Sequence, residues 1–577
     1  MTPVTAEQAA PGAARTGPTT RDADVVIMGG GLAGLTLAIQ LRQRFSDLSI
    51  VVLERLRHPV AEAAHKVGES SVEIGAHYFE HVLGLGEHLR EQQLKKFGFR
   101  FFFSEGAERI DQVLELGASR YLATPAYQLD RGIFENFLAQ HAQSLGVSFI
   151  DGASIAGIAL ADRAGGASSA TPPTARATLQ EPATHAITYS RDGREQSIAA
   201  RWLIDASGRA GLLKRKLDLA ESNDHDANAI WFRIGARIDI NEWSQDREWL
   251  TRCDPPNRWL STNHLCGEGY WAWLIPLASG SHSVGIVADA KLHPLKTMNS
   301  FERALEWFGV HQPCLARELE SKRHLLQDFV ALRRFSYGCK RVFCGDRWAI
   351  TGEAGVFLDP FYSPGNDFIA IANTYITELI AKDRAGEPLA PHARLYEQFF
   401  FSFYRSTLTL YANQYALFGD PQVMSVKVVW DYAYYWGVLC QLFFQNRLTD
   451  LPMMARLREE FSLTLELNAA VQKFLREWSQ VSEKRNAATL LDQTNLEWFA
   501  ELNRGLRDDL DDAGFKARLR ETTSQLKALA AEIVLTGLAD HPHLDATAVR
   551  ALLGDDLSRL AGSLLFPALR RHRSAAA

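Results

Sequence analysis

The glycines Gly29, Gly31 and Gly34 of the six-residue run GGGLAG constrain this chain most. They follow a short apolar run (DVVIM, 24–28) and open LTLAIQLRQRF, whose apolar spacing predicts an amphipathic helix. A second apolar run (SIVVL, 49–53) ends in Glu54. Strand, glycine turn, helix, strand and an acid about 20 residues on make a βαβ dinucleotide-binding unit. Gly29 permits the tight turn, Gly31 lets the backbone approach a pyrophosphate, and Gly34 lets helix and strand pack closely. Leu32 and Ala33 begin the helix, whose N-terminus offers free N–H groups to a phosphate. Glu54 would accept the ribose hydroxyls. The unit alone does not separate FAD from NAD.

The 577 residues exceed one ordinary domain, so two or three are expected. With 46% hydrophobic and 23% charged residues the composition is that of a soluble globular protein. A formal net charge of −6 gives no global basic field, so no nucleic-acid partner is expected. Six cysteines (Cys253, Cys266, Cys314, Cys339, Cys344, Cys440) form no CxxC pair. That argues against a zinc site or disulfide framework and fits reduced thiols in a cytoplasmic protein without a metal. Residues 1–21 read as a disordered tail without the apolar core of a secretion signal. No run reaches the roughly 18 apolar residues that span a bilayer. The longest apolar patch, 432–444, reads as a buried helix, with surface docking the alternative.

Strands near residues 25, 50, 203 and 350 are predicted to share one sheet. A second sheet over 230–288 interrupts them. Residues 125–140 read as a turn and then a helix; 161–175, rich in Gly, Ser and Pro, as a flexible surface insertion. Beyond about 366 the pattern is helical to the end. The reading is an α/β (α+β) chain. A discontinuous nucleotide-binding domain covers 22–95, 126–215 and 330–390. A substrate-binding β-sheet domain covers 96–125 and 216–329, and a helical C-terminal cap covers 391–577.

Further segments carry chemistry. A strand at 202–205 runs into DASGRAG; Arg131 opens the helix in YQLDRGIFENFL; TGEAGVFLDP and FLDPFYSPG overlap across 351–365. In WAWLIP, 271–276, alternate residues of a strand face one side, so Trp271 and Trp273 point together as a rigid wall. An isolated Trp pair is more often core. Taken with the glycine motif, these segments resemble the FAD monooxygenase superfamily. Within it they resemble the flavin-dependent halogenases, closer to the pyrrole and phenol branch than to the tryptophan branch. The resemblance covers about residues 24–420.

It implies a Rossmann-like FAD-binding domain of the monooxygenase type, with Arg131, Asp205, Gly208, Gly352, Glu353, Pro360 and Gly365 as further FAD contacts. Glu353 stands where Asp is commoner. Phe357, Pro360, Ser363 and Gly365 match the family's Phe-x-x-Pro-x-x-Ser-x-Gly loop, where backbone N–H groups bind chloride or bromide beside the flavin. Phe357, Pro364, Gly365 and Asn366 form this halide and flavin loop. Pro364 has no N–H, and Asp367 would repel an anion. A loop that only binds flavin, as in hydroxylases, is therefore the alternative. Trp271, Trp273, Ile275 and Pro276 are implied to separate flavin from substrate.

In tryptophan halogenases a catalytic lysine follows a Gly-Glu turn. VGESSVEIGAHYF resembles that segment, with His77 at the lysine position. Pyrrole and phenol halogenases carry it in a Lys-x-Gly strand, which LKKFGFRFF resembles, with Lys96 on the lysine. A surface lysine is the plain alternative. Glu69 and Ser70 are expected to line flavin and tunnel, the alternative being a capping turn; Lys96, Glu69 and Ser363 are the expected catalytic residues. Aromatic residues of the cap, Phe399, Tyr404, Tyr411, Tyr434 and Trp436, are candidate substrate lining, although such stripes are more often core.

By the resemblance, a partner flavin reductase supplies reduced FAD, and oxygen gives a C4a-hydroperoxide that oxidises halide to hypohalous acid. Lys96 directs this to an electron-rich small-molecule or carrier-tethered substrate. Two other readings stay open: a flavin monooxygenase or dehydrogenase without halide use, and a non-catalytic accessory protein on the same fold.

Overall fold

The computed structural model describes residues 20–63, 66–161 and 184–569. Most of the tail read over 1–21, and nearly all of the insertion read over 161–175, lie outside the described residues. The first strand, β1 (Thr20–Met28), begins inside the stretch read as tail. Then come α1 (Leu32–Arg44), β2 (Ile50–Leu53), α2 (Glu73–His77), β3 (Phe99–Phe102), β4 (Glu115–Gly117), α3 (Arg131–Ser144) and β5 (Ser148–Ile150). The middle of the chain gives β6 (Arg194–Asp205), β7 (Ala227–Ile234), β8 (Thr262–Gly267), β9 (Tyr270–Pro276), β10 (His282–Asp289), β11 (Leu326–Leu332) and β12 (Trp348–Ile350). The last third gives α4 (Gly365–Arg384), α5 (Leu389–Leu408), α6 (Pro421–Tyr434), α7 (Arg458–Val481), β13 (Leu490–Asp492) and α8 (Asp512–Asp540).

The first sheet runs Phe343–Cys344, β12, β6, β1, β2, β5. From β12 to β5 its strands are parallel. An antiparallel hairpin, Ser154–Ala159 with His185–Arg191, extends it along β6. β1 is apolar and buried from Val25 to Met28, as a parallel strand covered on both faces must be. Register pairs Met28 with both Leu53 and Asp205, so the glycine turn and the loop after β6 leave the sheet side by side.

The second sheet runs β11, β7, β10, β9, β8, β3, β4, β13. Its period-two alternation divides two cores. Tyr270, Ala272 and Leu274 point into a cluster with Phe232, Val284 and the helices at 301–322. Trp271, Trp273 and Ile275 point into the main core shared with the first sheet and the C-terminal helices. β13 corrects the reading of the last region as wholly helical, since it pairs in parallel with β4. A three-residue strand flanked by long helices gives no periodic signal of its own. The patch at 432–444 is buried and continues α6 into a π-helical segment, Tyr435–Cys440. No helix among the described residues is long and apolar enough to cross a membrane. The six cysteines are free and buried.

Candidate active site

Strands β1, β2, β6 and β12 deliver their carboxyl ends to one cleft, the place where parallel sheets bind ligands. A cavity of about 640 Å³ lies there, within the range of cofactor sites. Its wall takes Gly29, Gly31, Leu32, Ala33 and Glu54 from the βαβ unit, Arg131 from α3, Gly208 from the loop after β6, and Gly352 and Glu353 from the turn after β12. Gly29 has φ +117°, and a Cβ there would lie 2.2 Å from the Ala206 carbonyl oxygen. A Cβ on Gly34 would lie 2.0 Å from the Gly29 carbonyl oxygen. α1 has no side-chain cap, so its first N–H groups are left for a ligand. Glu54 accepts from Gly30 N at 2.6 Å and Leu56 N at 2.7 Å, which fixes its carboxylate at the wall. Arg131 donates to the Val67 carbonyl at 2.6 Å and pairs with Glu135. Lys66, Arg209 and Arg215 add positive charge to the same wall, which suits a pyrophosphate.

Three expected cofactor or barrier residues stand behind the wall. Gly34 packs α1 onto the turn. Asp205 is buried and accepts from Ser207 N at 3.0 Å and Leu213 N at 2.6 Å, so it shapes the loop that carries Gly208. Pro276 ends β9 opposite His282.

The other side of the cavity is Trp271, Trp273 and Ile275, with Phe357, Pro360, Ser363, Pro364, Gly365 and Asn366. The two indole centroids are 5.5 Å apart. Trp273 donates to Ser283 Oγ at 3.1 Å and lies over Gly285, where a Cβ would meet its ring at 2.2 Å. Trp271 donates to the Tyr415 hydroxyl at 3.1 Å. Tyr415 bonds Asp359 of the FLDP loop, and His225 Nε2 lies 2.7 Å from the same carboxylate. One network thus ties the tryptophan wall, the loop and the cap together. Ser363 takes a left-handed φ of +52°, turning the chain into α4. Pro364 sits at the N-cap position of α4, ahead of the first helical N–H groups of Gly365 and Asn366.

Lys96 is 4% exposed, not a solvated surface lysine. It donates to Ser70 Oγ at 2.9 Å and the Ser71 carbonyl at 3.0 Å, and its Nζ stands 3.4 Å over the Phe99 ring. Burial pushes its ammonium down to about 7, against the pull of Glu73 and Asp367. Ser70 lines the large cavity, and Phe99 lines a second one. Lys96 itself lines neither cavity but touches one lining residue of each, Ser70 and Phe99.

The second cavity, about 50 Å³, is walled by Val72, Phe99, Tyr362, Pro364, Asp367 and residues of α5, α6 and the π-helical segment. Pro364 belongs to both cavities, so the wall between them is one residue thick there. Asp367 turns away from the loop. It accepts from Gly75 N at 2.9 Å and the Tyr435 hydroxyl at 2.7 Å. Burial pushes its carboxyl up to about 8, so near neutrality much of it carries no charge to repel a halide.

The FAD binding domain family matches residues 22–277. Flavin-dependent halogenase chlA of Dictyostelium discoideum is 25% identical over 487 residues, 77% of this chain and 76% of that protein. The chain is thus similar to flavin-dependent halogenases over about three quarters of its length. The 1H-pyrrole-2-carbonyl-(peptidyl-carrier protein) chlorinase of Pseudomonas fluorescens is 26% identical to this chain over 365 residues, 60% of this chain and 72% of that protein. In fold it superposes on the crystal structure of halogenase PltM with a TM-score of 0.60 at 17% identity, over 89% of this chain and 96% of that one. The match to an FAD binding domain agrees with the cavity itself, whose glycine cradle, free N–H groups and cationic wall fit FAD.

The other expected residues are placed as follows. Glu69, read as catalytic, is clamped by Arg233, whose Nε and Nη2 lie 2.9 and 2.6 Å from Oε1. It lines the flavin cavity as a buried ion pair, and burial outweighs Arg233 to hold its carboxyl above the usual range. Of the five aromatic lining candidates, Tyr411 and Tyr434 line the second cavity. Tyr404 instead bonds Asn223 and Trp436 packs on Phe499, while Phe399 lies outside the wall. His77 stacks on Phe444 with centroids 4.0 Å apart, and burial pushes it down to about 4, a neutral packing residue. Sequence reasoning missed Glu73, Tyr362, Tyr435 and the buried Lys427–Asp431–Gln472 set beneath the second cavity. Their signal was a polar residue at a core phase of an apolar helix, as in KVVWDYAYYW.

Proposed function

We propose that this protein is an FAD-dependent halogenase acting on an electron-rich aromatic substrate at the second cavity, which at about 50 Å³ must widen to admit a ring. Lys96 carries the reading: a buried, partly discharged lysine holds Ser70 in the wall of the flavin cavity and stands over Phe99 in the wall of an apolar chamber. Reduced FAD, from a partner reductase, and oxygen supply the oxidising equivalent that converts chloride or bromide to hypohalous acid. The tryptophan wall keeps a substrate off the flavin. The first N–H groups of α4 are the halide donors. Pro364 removes a donor only at the N-cap position and leaves those of Gly365 and Asn366. Lys96, anchored by Ser70, holds hypohalous acid by hydrogen bonding and presents it to the chamber, where water is scarce and a neutral ring is welcome.

In the chamber wall, Tyr362 donates to Asp431 Oδ2 at 2.8 Å. Lys427 donates to the same oxygen at 2.7 Å, and Gln472 to Oδ1 at 2.6 Å. This set fixes Tyr362 and Asp431 to orient a polar group of the substrate. The pyrrole chlorinase relative acts on a carrier-bound acyl group, so both free and tethered aromatics belong in the assay. Mass spectrometry of products from free phenols, free pyrroles and a carrier-bound pyrrole, each with chloride, bromide and neither, tests the proposal. Halogen incorporation into one of them is expected. Oxygenated product without halogen would sink the reading and favour a monooxygenase.

A further inference from the structure

Electrophilic substitution on a ring needs two partners for the substrate. One delivers the halogen, and one removes the proton from the carbon that receives it. Lys96 serves the first. The second must be a carboxylate or imidazole that touches the substrate chamber and has lone pairs to spare. Two carboxylates line it, Asp431 and Asp367. Asp431 already accepts from Lys427, Tyr362 and Gln472, three of about four lone-pair positions of a carboxylate, one donor being a full cation. Asp367 accepts from Gly75 N and the Tyr435 hydroxyl only, one donor per oxygen, which leaves a lone pair free on each. It is 1% exposed, so bulk water does not compete for the proton. It also lies in the first turn of α4, beside Pro364, at the thin wall where hypohalous acid would arrive.

From this placement, and resting on the halogenase reading above, we propose that Asp367 is the base that takes the ring proton during substitution. The halogen bonds to the ring carbon with a pair of ring π electrons as its bond to oxygen breaks. The oxygen leaves with that bonding pair, takes a proton from the Lys96 ammonium and departs as water. The ring C–H bond then breaks, its electron pair restores the aromatic ring, and the proton passes to an Asp367 oxygen. Arene and hypohalous acid become haloarene and water. Asp367 ends with one proton more and Lys96 with one fewer, and passing that proton between them resets the site.

The environment supports this traffic. The groups facing Asp367 are Glu73 on α2, Lys96, Tyr435 and Cys440 on the π-helical segment, and Tyr411 between α5 and α6. Burial and Glu73 raise its proton affinity, whereas Tyr435, Gly75 and Lys96 lower it. The result lies near the operating pH, where a general base works best. Tyr435 is a positioning residue: it fixes the carboxyl and stabilises its charged form.

The test uses the full-length holoenzyme with FAD, a reductase, bromide, resorcinol or ring-deuterated resorcinol as probe, and free methionine in solution to trap escaping hypohalous acid as sulfoxide. The unsubstituted enzyme should show no difference between the protium and deuterium rings. Asp367→Asn should lower bromoresorcinol formation by about 100-fold or more. It should reveal a normal isotope effect, because C–H cleavage becomes slow, and it should raise the trapped fraction. Tyr435→Phe keeps the carboxyl and should move the acid limb of the rate profile to higher pH. Asp367→Asn at the unsubstituted rate, or slowed with no isotope effect and no extra sulfoxide, would overturn the proposal. So would an unmoved acid limb in Tyr435→Phe. Absence of any bromide-dependent sulfoxide with the unsubstituted enzyme would instead strike the halogenase reading itself.

Discussion

Lys427→Met offers a quantitative trial of how the chamber floor is held. Lys427 and Asp431 are i and i+4 on α6, with side chains 0% and 2% exposed and 2.7 Å between Nζ and Oδ2. At that distance two unit charges attract by about 6 kcal/mol at an effective dielectric near 20. Removing the lysine forfeits this attraction but also spares the cost of burying the ammonium, a cost visible in the lowered proton affinity that burial imposes on Lys427. The net loss for a broken buried pair is about 3–5 kcal/mol, because the orphaned carboxylate stays desolvated with only Tyr362 and Gln472 as donors. Replacing both partners, Lys427→Met with Asp431→Leu, removes the orphan charge and should cost less than the single substitution. Urea unfolding followed by tryptophan fluorescence, read as a double-substitution cycle, measures the coupling. A single-variant loss under about 1 kcal/mol, or a double variant as unstable as the sum of its parts, would refute the view that this ion pair is desolvated and self-compensating.

Lys96→Ala should abolish halogenation of every substrate while the protein keeps its FAD, checked by the flavin absorbance after gel filtration; persistent halogenation would reject the lysine assignment. The rate profile should be a narrow bell. The Lys96 ammonium is lost as pH rises through about 7, and the Asp367 carboxylate is lost as pH falls through about 8. The productive pairing of charged lysine with charged aspartate therefore peaks near pH ~7.5 and falls roughly tenfold per unit beyond either side. Asp367→Asn should erase the acid limb and spare the alkaline one, as measured by kcat/KM across pH. Gly34→Ala, which would put a methyl 2.0 Å from the Gly29 carbonyl oxygen, should open the turn and abolish FAD retention. Gly285→Ala should drive the Trp273 ring off its strand at a cost of about 1–3 kcal/mol, read as a lower thermal midpoint.

What could be read from the sequence followed short-range rules. The βαβ unit was legible because a glycine turn, a helix start and an acid occur in a fixed order. The WAWLIP alternation was legible because a strand leaves a side chain only two directions. Lys96 was singled out by its segment, but its burial was not legible, since nothing in LKKFGF says which lysine faces inward. Asp367 looked like an obstacle to halide binding. Its sequence neighbours cannot show that Gly75, far upstream, and Tyr435, far downstream, draw its carboxyl away. The cap resisted for a further reason. Tyr435–Cys440 is π-helical, and a wider turn shifts the phase of the residues in and beyond it. An aromatic stripe read at 3.6 residues per turn therefore misplaced Trp436, which packs on Phe499.

The pairing of β13 with β4 has a consequence for how the molecule is made. Residues 490–492 complete a sheet whose other seven strands are all in place by residue 332. Around that strand, Asn486 accepts from Leu114 N and donates to the Phe103 carbonyl, each at 2.7 Å, and Asp492 accepts from Ser119 N at 3.1 Å. On the ribosome the β4 edge must wait, unpaired, while some 160 further residues are synthesised, about ten seconds or more at ordinary translation rates. A chain cut short before residue 490 would present that edge permanently, an invitation to pair with another copy. Truncations meant to isolate the flavin and sheet body would be expected to aggregate. The cap, for its part, is stitched to the body along a strand, so swinging it open as a whole would break that pairing.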